Sequence, residues 1–359
     1  MMEGALFELK RVIVGQDAML ERVLVALLAG GHLLLEGVPG LAKTLTIRTL
    51  ARVLGGTFRR VQFTPDLVPA DIVGTRVYRP DTGTFVTEPG PVLCNYLLAD
   101  EINRAPAKVQ SALLEVMQER QVTIGGQTLP VPAPFLVLAT QNPIEAEGTY
   151  PLPEAQLDRF LLKVLVGYPD FPEELAVVQR SLGDESQVRR VLDAPRLLAA
   201  QRAARGVYVD RAVQEYAVAL AMATRHPRAY GLEALAPYLA FGASPRGSIA
   251  LVHAARARAL LRGRAYALPQ DVRALAKDVL RHRLVLTYDA LAETRSPDDL
   301  LDQVLAAVPL PRIDFGRGEA DAPDGQPGQP AQVSGRQDGR VRMPAAGRIL
   351  PANTEQRGA

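Results

Sequence analysis

The chain has 359 residues, 48% of them apolar, and a single cysteine, Cys94. At about 150 residues per domain this predicts two domains with ample core, and one thiol excludes an internal disulfide framework. Lysine and arginine total 41 against 39 acids, a formal charge of +2, which argues against nucleic-acid binding driven by bulk charge. No apolar run approaches the roughly 18 residues of a membrane span, and the start lacks a secretory pattern, so a cytoplasmic setting is expected. Only five of the basic residues are lysines. A lone lysine in a special place is therefore a stronger signal than any one arginine.

In chain order, a helix is predicted over Asp17–Ala29. A short apolar run follows at His32–Leu35, too apolar throughout to alternate, which is the pattern of a strand buried on both faces. Gly37-Val38-Pro39-Gly40-Leu41-Ala42-Lys43-Thr44 comes next, then a helical stretch over Leu45–Leu54. Strand, glycine loop and helix is the context of a phosphate-binding loop. Successive backbone N–H groups at the helix start form a nest for phosphate oxygens. Lys43 would reach the β- and γ-phosphates, and the Thr44 hydroxyl would ligate Mg²⁺. The strict pattern has Gly before the Lys; Ala42 stands there and is expected in helical dihedrals. The octapeptide alone also fits a glycine-rich turn with an incidental lysine.

Phe58–Phe63 is a weaker strand candidate. Arg76–Arg79 and Thr84–Thr87 flank Pro80–Gly83 and predict a hairpin. Tyr96–Ala99 is a second buried strand, and it ends in Asp100 and Glu101. Strand ends are where a parallel sheet presents ligand-binding groups. Asp100 would hold Mg²⁺ and Glu101 would polarise the attacking water. Alone, the pair would read as a helix N-cap; downstream of Lys43 and Thr44 the metal-site reading prevails. Val109, Ala112, Leu113, Val116 and Met117 are spaced as one helix face. Gln121–Ile124 and Gln127–Leu129 flank Gly125-Gly126, which suits a two-residue hairpin turn with positive φ at both positions. Phe135–Ala139 is a third buried strand leading to Asn142, whose amide could orient the water or merely turn the chain before Pro143. Phe160–Val166 is a last, weaker strand.

Strands alternating with helices predict an α/β fold, a P-loop core with a mainly parallel sheet. From about residue 195 the pattern turns helical. Ala212, Val213, Tyr216, Ala217 and Leu220 form one stripe; Ile249–Leu261 and Val272–Leu280 form two more helices, the latter opened by Pro269-Gln270-Asp271. From Gly316 the chain is rich in Gly, Pro and Gln and loses apolar periodicity, which predicts disorder. The expected division is 1–190 for the core, 191–315 for a small all-α lid, and 316–359 for the tail. The four histidines lack metal-ligand spacing. His32 reads as a packing residue at a strand start and Cys94 as a small buried hydrophobe.

These residues resemble an AAA+ ATPase of the MoxR family over roughly residues 10–310. The resemblance is carried by Ile13-Val14-Gly15-Gln16, by Gln62–Ile72, by Gln141-Asn142-Pro143 and above all by the string from Gly148 to Phe160. It implies Mg²⁺-dependent hydrolysis of ATP in a homo-oligomeric, hexameric ring, with sensor 1 at Asn142. It implies an arginine finger at Arg159 that serves a neighbouring subunit, and a sensor 2 at Arg246 acting on its own or a neighbour's nucleotide. It implies chaperone-like remodelling of partner proteins, including metal-cofactor insertion, with partners that bear von Willebrand factor A domains. Arg104, Glu145 and Glu147 are further charges near the site. The two hairpins resemble inserts of this branch. Their relatives include nucleic-acid motors, an alternative that Arg76 and Arg79 keep open and that the second hairpin, without a basic residue, counts against. A nucleotide-gated scaffold without turnover is the remaining alternative.

Overall fold

The computed structural model describes residues 2–38, 40–143, 149–182 and 187–312. Pro39, Glu145, Glu147 and the tail from 316, named above, lie outside the described residues. Among the described residues, nine strands build the first half: β1 (Leu33–Glu36), β2 (Phe58–Gln62), β3 (Gly74–Arg79), β4 (Thr84–Pro89), β5 (Tyr96–Asp100), β6 (Gln121–Ile124), β7 (Gln127–Pro130), β8 (Leu136–Gln141) and β9 (Leu162–Leu165). Five of them form one parallel sheet in the order β2-β5-β8-β1-β9. The interior strands are the continuous apolar runs. Leu33–Leu35, Tyr96–Ala99 and Leu136–Thr140 are buried throughout, because helices cover both faces. Strand β2 lies at an edge and leaves Arg59, Arg60 and Gln62 exposed, which is why its apolar signal is weak. Register brings the strand ends level: Gln62 pairs with Asp100, and Glu36 with Gln141. One rim of the sheet therefore collects every strand-end group the sequence singles out.

Strands β3 and β4 pair from Gly74↔Pro89 to Arg79↔Thr84, leaving Pro80–Gly83 as the turn. Strands β6 and β7 close at Ile124↔Gln127, with Gly125 at φ 57° and Gly126 at φ 85°. Both glycines thus take the positive φ the tight turn requires. The second hairpin buries Val122 and Ile124 in the core. The first lies against the second through Arg76 and Gly125, with Tyr78, Phe85 and Val86 exposed.

Helices α1 (Met2–Val12), α2 (Asp17–Ala29), α3 (Lys43–Leu54), α4 (Pro69–Val73) and α5 (Ala107–Glu119) belong to this half. Helix α2 occupies the predicted span, and Met19, Leu20 and Val23–Leu28 are all buried. Helix α5 buries Val109, Leu113, Val116 and Met117, while Ala112 stays half-exposed and Leu114 is buried instead. Then come α6 (Glu154–Leu157), α7 (Phe171–Ser181) and α8 (Ala194–Arg205), and in the helical part α9 (Arg211–Arg225), α10 (Pro245–Leu261), α11 (Pro269–Leu280), α12 (Tyr288–Ala292) and α13 (Pro297–Ala307). Helix α9 buries Val213, Tyr216, Ala217 and Leu220. Asp271 does more than supply charge to the first turn of α11. It is fully buried and accepts from the Leu268 N–H, Arg258 and Arg264.

Ion pairs join α2 to the helical part. Glu21 accepts from Arg258 at 3.0 Å and Arg262 at 3.1 Å, both toward the end of α10. Arg22 donates to Asp278 at 2.7 Å and to the Ala274 carbonyl at 2.9 Å, both in α11. Among the described residues no helix is long and apolar enough to cross a membrane.

Candidate active site

At the rim of the sheet lies a cavity of about 430 Å³ lined by Gly37, Gly40, Leu41, Ala42, Lys43, Thr44, Asp100, Glu101 and Asn142, with Arg60, Gln62 and Thr140 beside them. Val38 is not on its wall. Gly37 follows β1 where the chain leaving β9 passes closely: a Cβ there would stand 2.4 Å from the Val166 carbonyl oxygen. Gly40 has φ 86° with open space around it, so conformation rather than crowding demands glycine. Ala42 departs from expectation. It caps α3 at φ 55°, ψ 17°, left-handed rather than helical. Its carbonyl accepts from both the N–H and the hydroxyl of Thr46, bonds that hold the residue in a conformation costing about 1–2 kcal/mol for a residue with a Cβ.

The Lys43 ammonium donates to the Gly37 carbonyl inside the cavity. Burial pulls its pKa below the ordinary lysine range, and Asp100, Glu101 and Glu36 pull it back. An anion that replaced water around this ammonium would favour the charged form further.

The acid pair is built by three strands. Thr140, buried in β8, donates its hydroxyl to Asp100 Oδ1 at 2.7 Å and accepts from the Glu101 N–H at 2.8 Å. Glu101 itself sits at φ 56°, ψ 52°, a left-handed conformation of the kind held at functional sites by their surroundings. From β2, Arg60 donates to Asp100 Oδ2 at 2.7 Å and Gln62 to Glu101 Oε2 at 2.6 Å. Arg104 reaches the same Glu101 oxygen at 3.3 Å. Asn142, 8% exposed, closes the wall after β8. Arg60, Gln62 and Thr140 were not singled out as site residues. Their signal was the two-residue spacing, Arg60 to Gln62 and Thr140 to Asn142, which puts each pair on one face of a strand that ends at the rim.

The donor set fits a Mg-nucleotide. One ammonium, a helix N-terminus and a glycine loop offer positive character to phosphates. Thr44 and Asp100 offer hard oxygens, and Mg²⁺ is usually held by one or two protein oxygens plus phosphates and water rather than a full protein cage. Among the described residues no cluster of His, Cys, Asp and Glu could hold a metal by itself.

Arg159 and Arg246 do not line this cavity. They share a second cleft of about 280 Å³ with His32, Met117 and Asp158. Arg159 is exposed, and Arg246 lies 3.7 Å from Asp158 at 58% exposure. His32 is a packing residue, as expected. It is buried edge-on to Phe135, its Nδ1 accepts from the Val137 N–H, and burial lowers its pKa to about 4. His282, in the turn just after α11, is buried too. Burial raises the Cys94 thiol to about 12, so it is an inert hydrophobe. The arginines that kept a nucleic-acid reading open are engaged within the hairpins: Arg76 lies over the Phe85 ring at 5.1 Å and against Gly125, and Arg79 pairs with Glu88 at 2.6 Å.

A phosphate loop and an acid pair on the rim of a five-stranded parallel sheet, followed by a helical lid, define a P-loop ATPase of the AAA+ class. Residues 32–162 match the model of the ATPase family associated with various cellular activities (AAA), and residues 233–304 match that of an AAA lid domain. The chain is 58% identical over 312 residues to Chaperone MoxR1 of Mycobacterium tuberculosis, covering 87% of this chain and 83% of that one. It is 33% identical over 323 residues to Protein MoxR of Methylorubrum extorquens, covering 85% and 93%. The crystal structure of a candidate ATPase from Cytophaga hutchinsonii superposes with a TM-score of 0.82 at 47% identity, covering 86% of this chain and 94% of that one. The chain belongs to the MoxR family of AAA+ ATPases, and its reaction is ATP hydrolysis.

Proposed function

We propose that the rim cavity binds ATP with Mg²⁺ and that this chain works as a ring-forming, chaperone-like remodeller. The observation that carries the reading is the convergence of Lys43, Thr44, Asp100, Glu101 and Asn142 on one cavity. The loop from Gly37 to Thr44, Pro39 included, cradles the phosphates. Lys43 places its charge on the β- and γ-phosphates, and Thr44 and Asp100 hold the metal. Bound Mg²⁺ supplies neutralisation of charge at the phosphate oxygens. Glu101 accepts the proton of the attacking water, and Asn142 orients that water. Arg159 and Arg246 complete the site of an adjacent subunit. In support of that assignment, both guanidiniums lie in a cleft outside their own chain's phosphate cavity, and a rigid, permanent cation suits a transition state with spread negative charge.

The working division is a core over 1–190, a lid over 191–315 and a tail from 316. Rotation between subunits and lids would deliver hydrolysis to client proteins. The exposed Tyr78 and Phe85 on the first hairpin are the proposed client surface. The clients are proteins that require maturation, metal-cofactor insertion among them, with adaptors bearing von Willebrand factor A domains. A hexamer in the cytoplasm is the assembly this reading favours.

The test is ATPase rate per subunit against protein concentration, with Mg²⁺ and saturating ATP. A rate that climbs cooperatively from dilute protein supports a shared site. A flat, substantial rate at dilutions where the protein is monomeric would remove the trans arginines and the ring mechanism with them.

A further inference from the structure

The turn that carries Arg159 is gripped from the lid on both sides. Arg283, in the single helical turn just after α11, has a side chain only 2% exposed. Its Nε donates to Asp158 Oδ1 at 2.7 Å, and its Nη2 to the Phe160 carbonyl at 2.7 Å and the Asp158 carbonyl at 3.2 Å. Ser244, the cap of α10, donates to the other Asp158 oxygen at 3.0 Å. Arg246, two residues on, faces that same oxygen. Further along, Arg281 donates to the Lys163 carbonyl at 2.8 Å. The start of α10 rests on Arg283 as well: a Cβ at Gly247 would stand 3.3 Å from Arg283 Cδ. Asp158 and Phe160 are therefore fixed to the lid, while Arg159 between them leaves its side chain in solvent.

We propose that Arg283 and Asp158 form a clasp through which the lid of a subunit sets the reach of that subunit's own Arg159 toward its neighbour. This rests on the trans reading of Arg159. Both are positioning residues, because neither touches the reacting atoms. A buried ion pair is weak evidence for stability, since desolvation offsets most of its attraction. Its geometry is what it contributes. The planar fork of Arg283 spans a carboxylate and two carbonyls at once, which the single ammonium of a lysine cannot do. A lid that turned would carry Asp158 with it, and Arg246 and Arg159 would move as one unit.

The defect of a broken clasp travels to the neighbouring subunit, and subunit mixing reads that direction. In one arrangement, full-length Asp158→Asn or Arg283→Lys subunits are the minority among excess Glu101→Gln subunits, so variant active sites meet native fingers. In the other, wild-type subunits are the minority among excess subunits carrying Glu101→Gln together with the clasp substitution, so native sites meet variant fingers. Hydrolysis per competent subunit is expected to stay within about twofold in the first and to fall about tenfold in the second. Arg159→Ala runs in parallel. If Arg159→Ala shows no such asymmetry, the finger reading fails and the clasp with it. If Arg159→Ala shows it and neither clasp variant does, or both lose activity equally in the two arrangements, the clasp alone is overturned. Should Arg283→Lys not fold, Asp158→Asn, which keeps the side-chain volume and the Ser244 contact, decides the matter.

Discussion

Thr140→Val removes one hydroxyl and keeps the shape of the side chain. The hydroxyl donates to the Asp100 carboxylate at 2.7 Å and accepts from the Glu101 N–H at 2.8 Å. A hydrogen bond to a charged group contributes about 1.5–3 kcal/mol, and leaving the partner N–H unpaired costs about 1–3 kcal/mol more. Arg60 still holds the other Asp100 oxygen, so the lower half of the summed range applies, about 2.5–4 kcal/mol in all. Without the hydroxyl, the Glu101 backbone is held at its carbonyl, by the Arg104 N–H at 2.9 Å, and no longer at its N–H, and a shift of its carboxylate by about 1 Å costs on the order of 10²-fold in turnover. Urea unfolding reads the first effect, and steady-state hydrolysis reads the second as a loss in kcat with little change in KM. Thr140→Ser retains the hydroxyl and is expected to recover most of both. Thr140→Val with stability within about 0.5 kcal/mol of wild type and undiminished turnover would refute the role assigned to this hydroxyl.

Two further outcomes follow from backbone and burial. Ala42→Gly is expected to raise stability by about 1 kcal/mol, because glycine adopts the left-handed region without the Cβ penalty; a clearly lower urea midpoint would mean Ala42 is not strained. His32 has a folded pKa of about 4, below its value of about 6.5 in an unfolded chain. The unfolded state therefore binds the extra proton. The contribution of neutral His32 is complete above about pH 6.5 and is lost as pH falls toward 4, by up to about 3 kcal/mol. His282, also lowered by burial, acts in the same sense. Thermal unfolding between pH 7 and 4.5 should fall steeply for wild type and less so for His32→Phe; parallel profiles would exclude His32 as a source.

The parallel core was legible because its inner strands have no polar face. Leu33–Leu35, Tyr96–Ala99 and Leu136–Ala139 are unbroken apolar runs of strand length, the pattern of strands buried on both sides. The Gly125-Gly126 turn was legible because two adjacent positive φ angles demand glycine. The strand expected over Phe160–Val166 is observed as Leu162–Leu165: Val166 still donates its N–H to the Glu36 carbonyl at 2.8 Å, while Phe160 is buried in the turn before the strand. Helix α7 was missed although Phe171, Leu175 and Val178 keep helical spacing behind the Asp170–Glu173 capping box; the helix buries none of them. The left-handed Ala42 was misread, because local propensity cannot show that flanking bonds hold a residue against it. The network around the acid pair joins Arg60, Gln62, Asp100, Glu101 and Thr140 across separations of about forty residues, and Arg283 reaches back 125 residues to Asp158. Such pairings depend on strand register and helix docking, which one sequence without its fold does not express.

The joint between α2 and the lid carries ion pairs alongside the apolar side chains that α2 buries: Glu21 with Arg258 and Arg262, and Arg22 with Asp278. An oily seam that opened would present bare hydrocarbon to water and invite aggregation at every stroke. A charged seam exchanges each partner for solvent on parting and recovers it on closing. The ion pairs therefore give the seam partners that water can replace and one register in which to close, so they contribute more to how the two parts fit than to how strongly they hold.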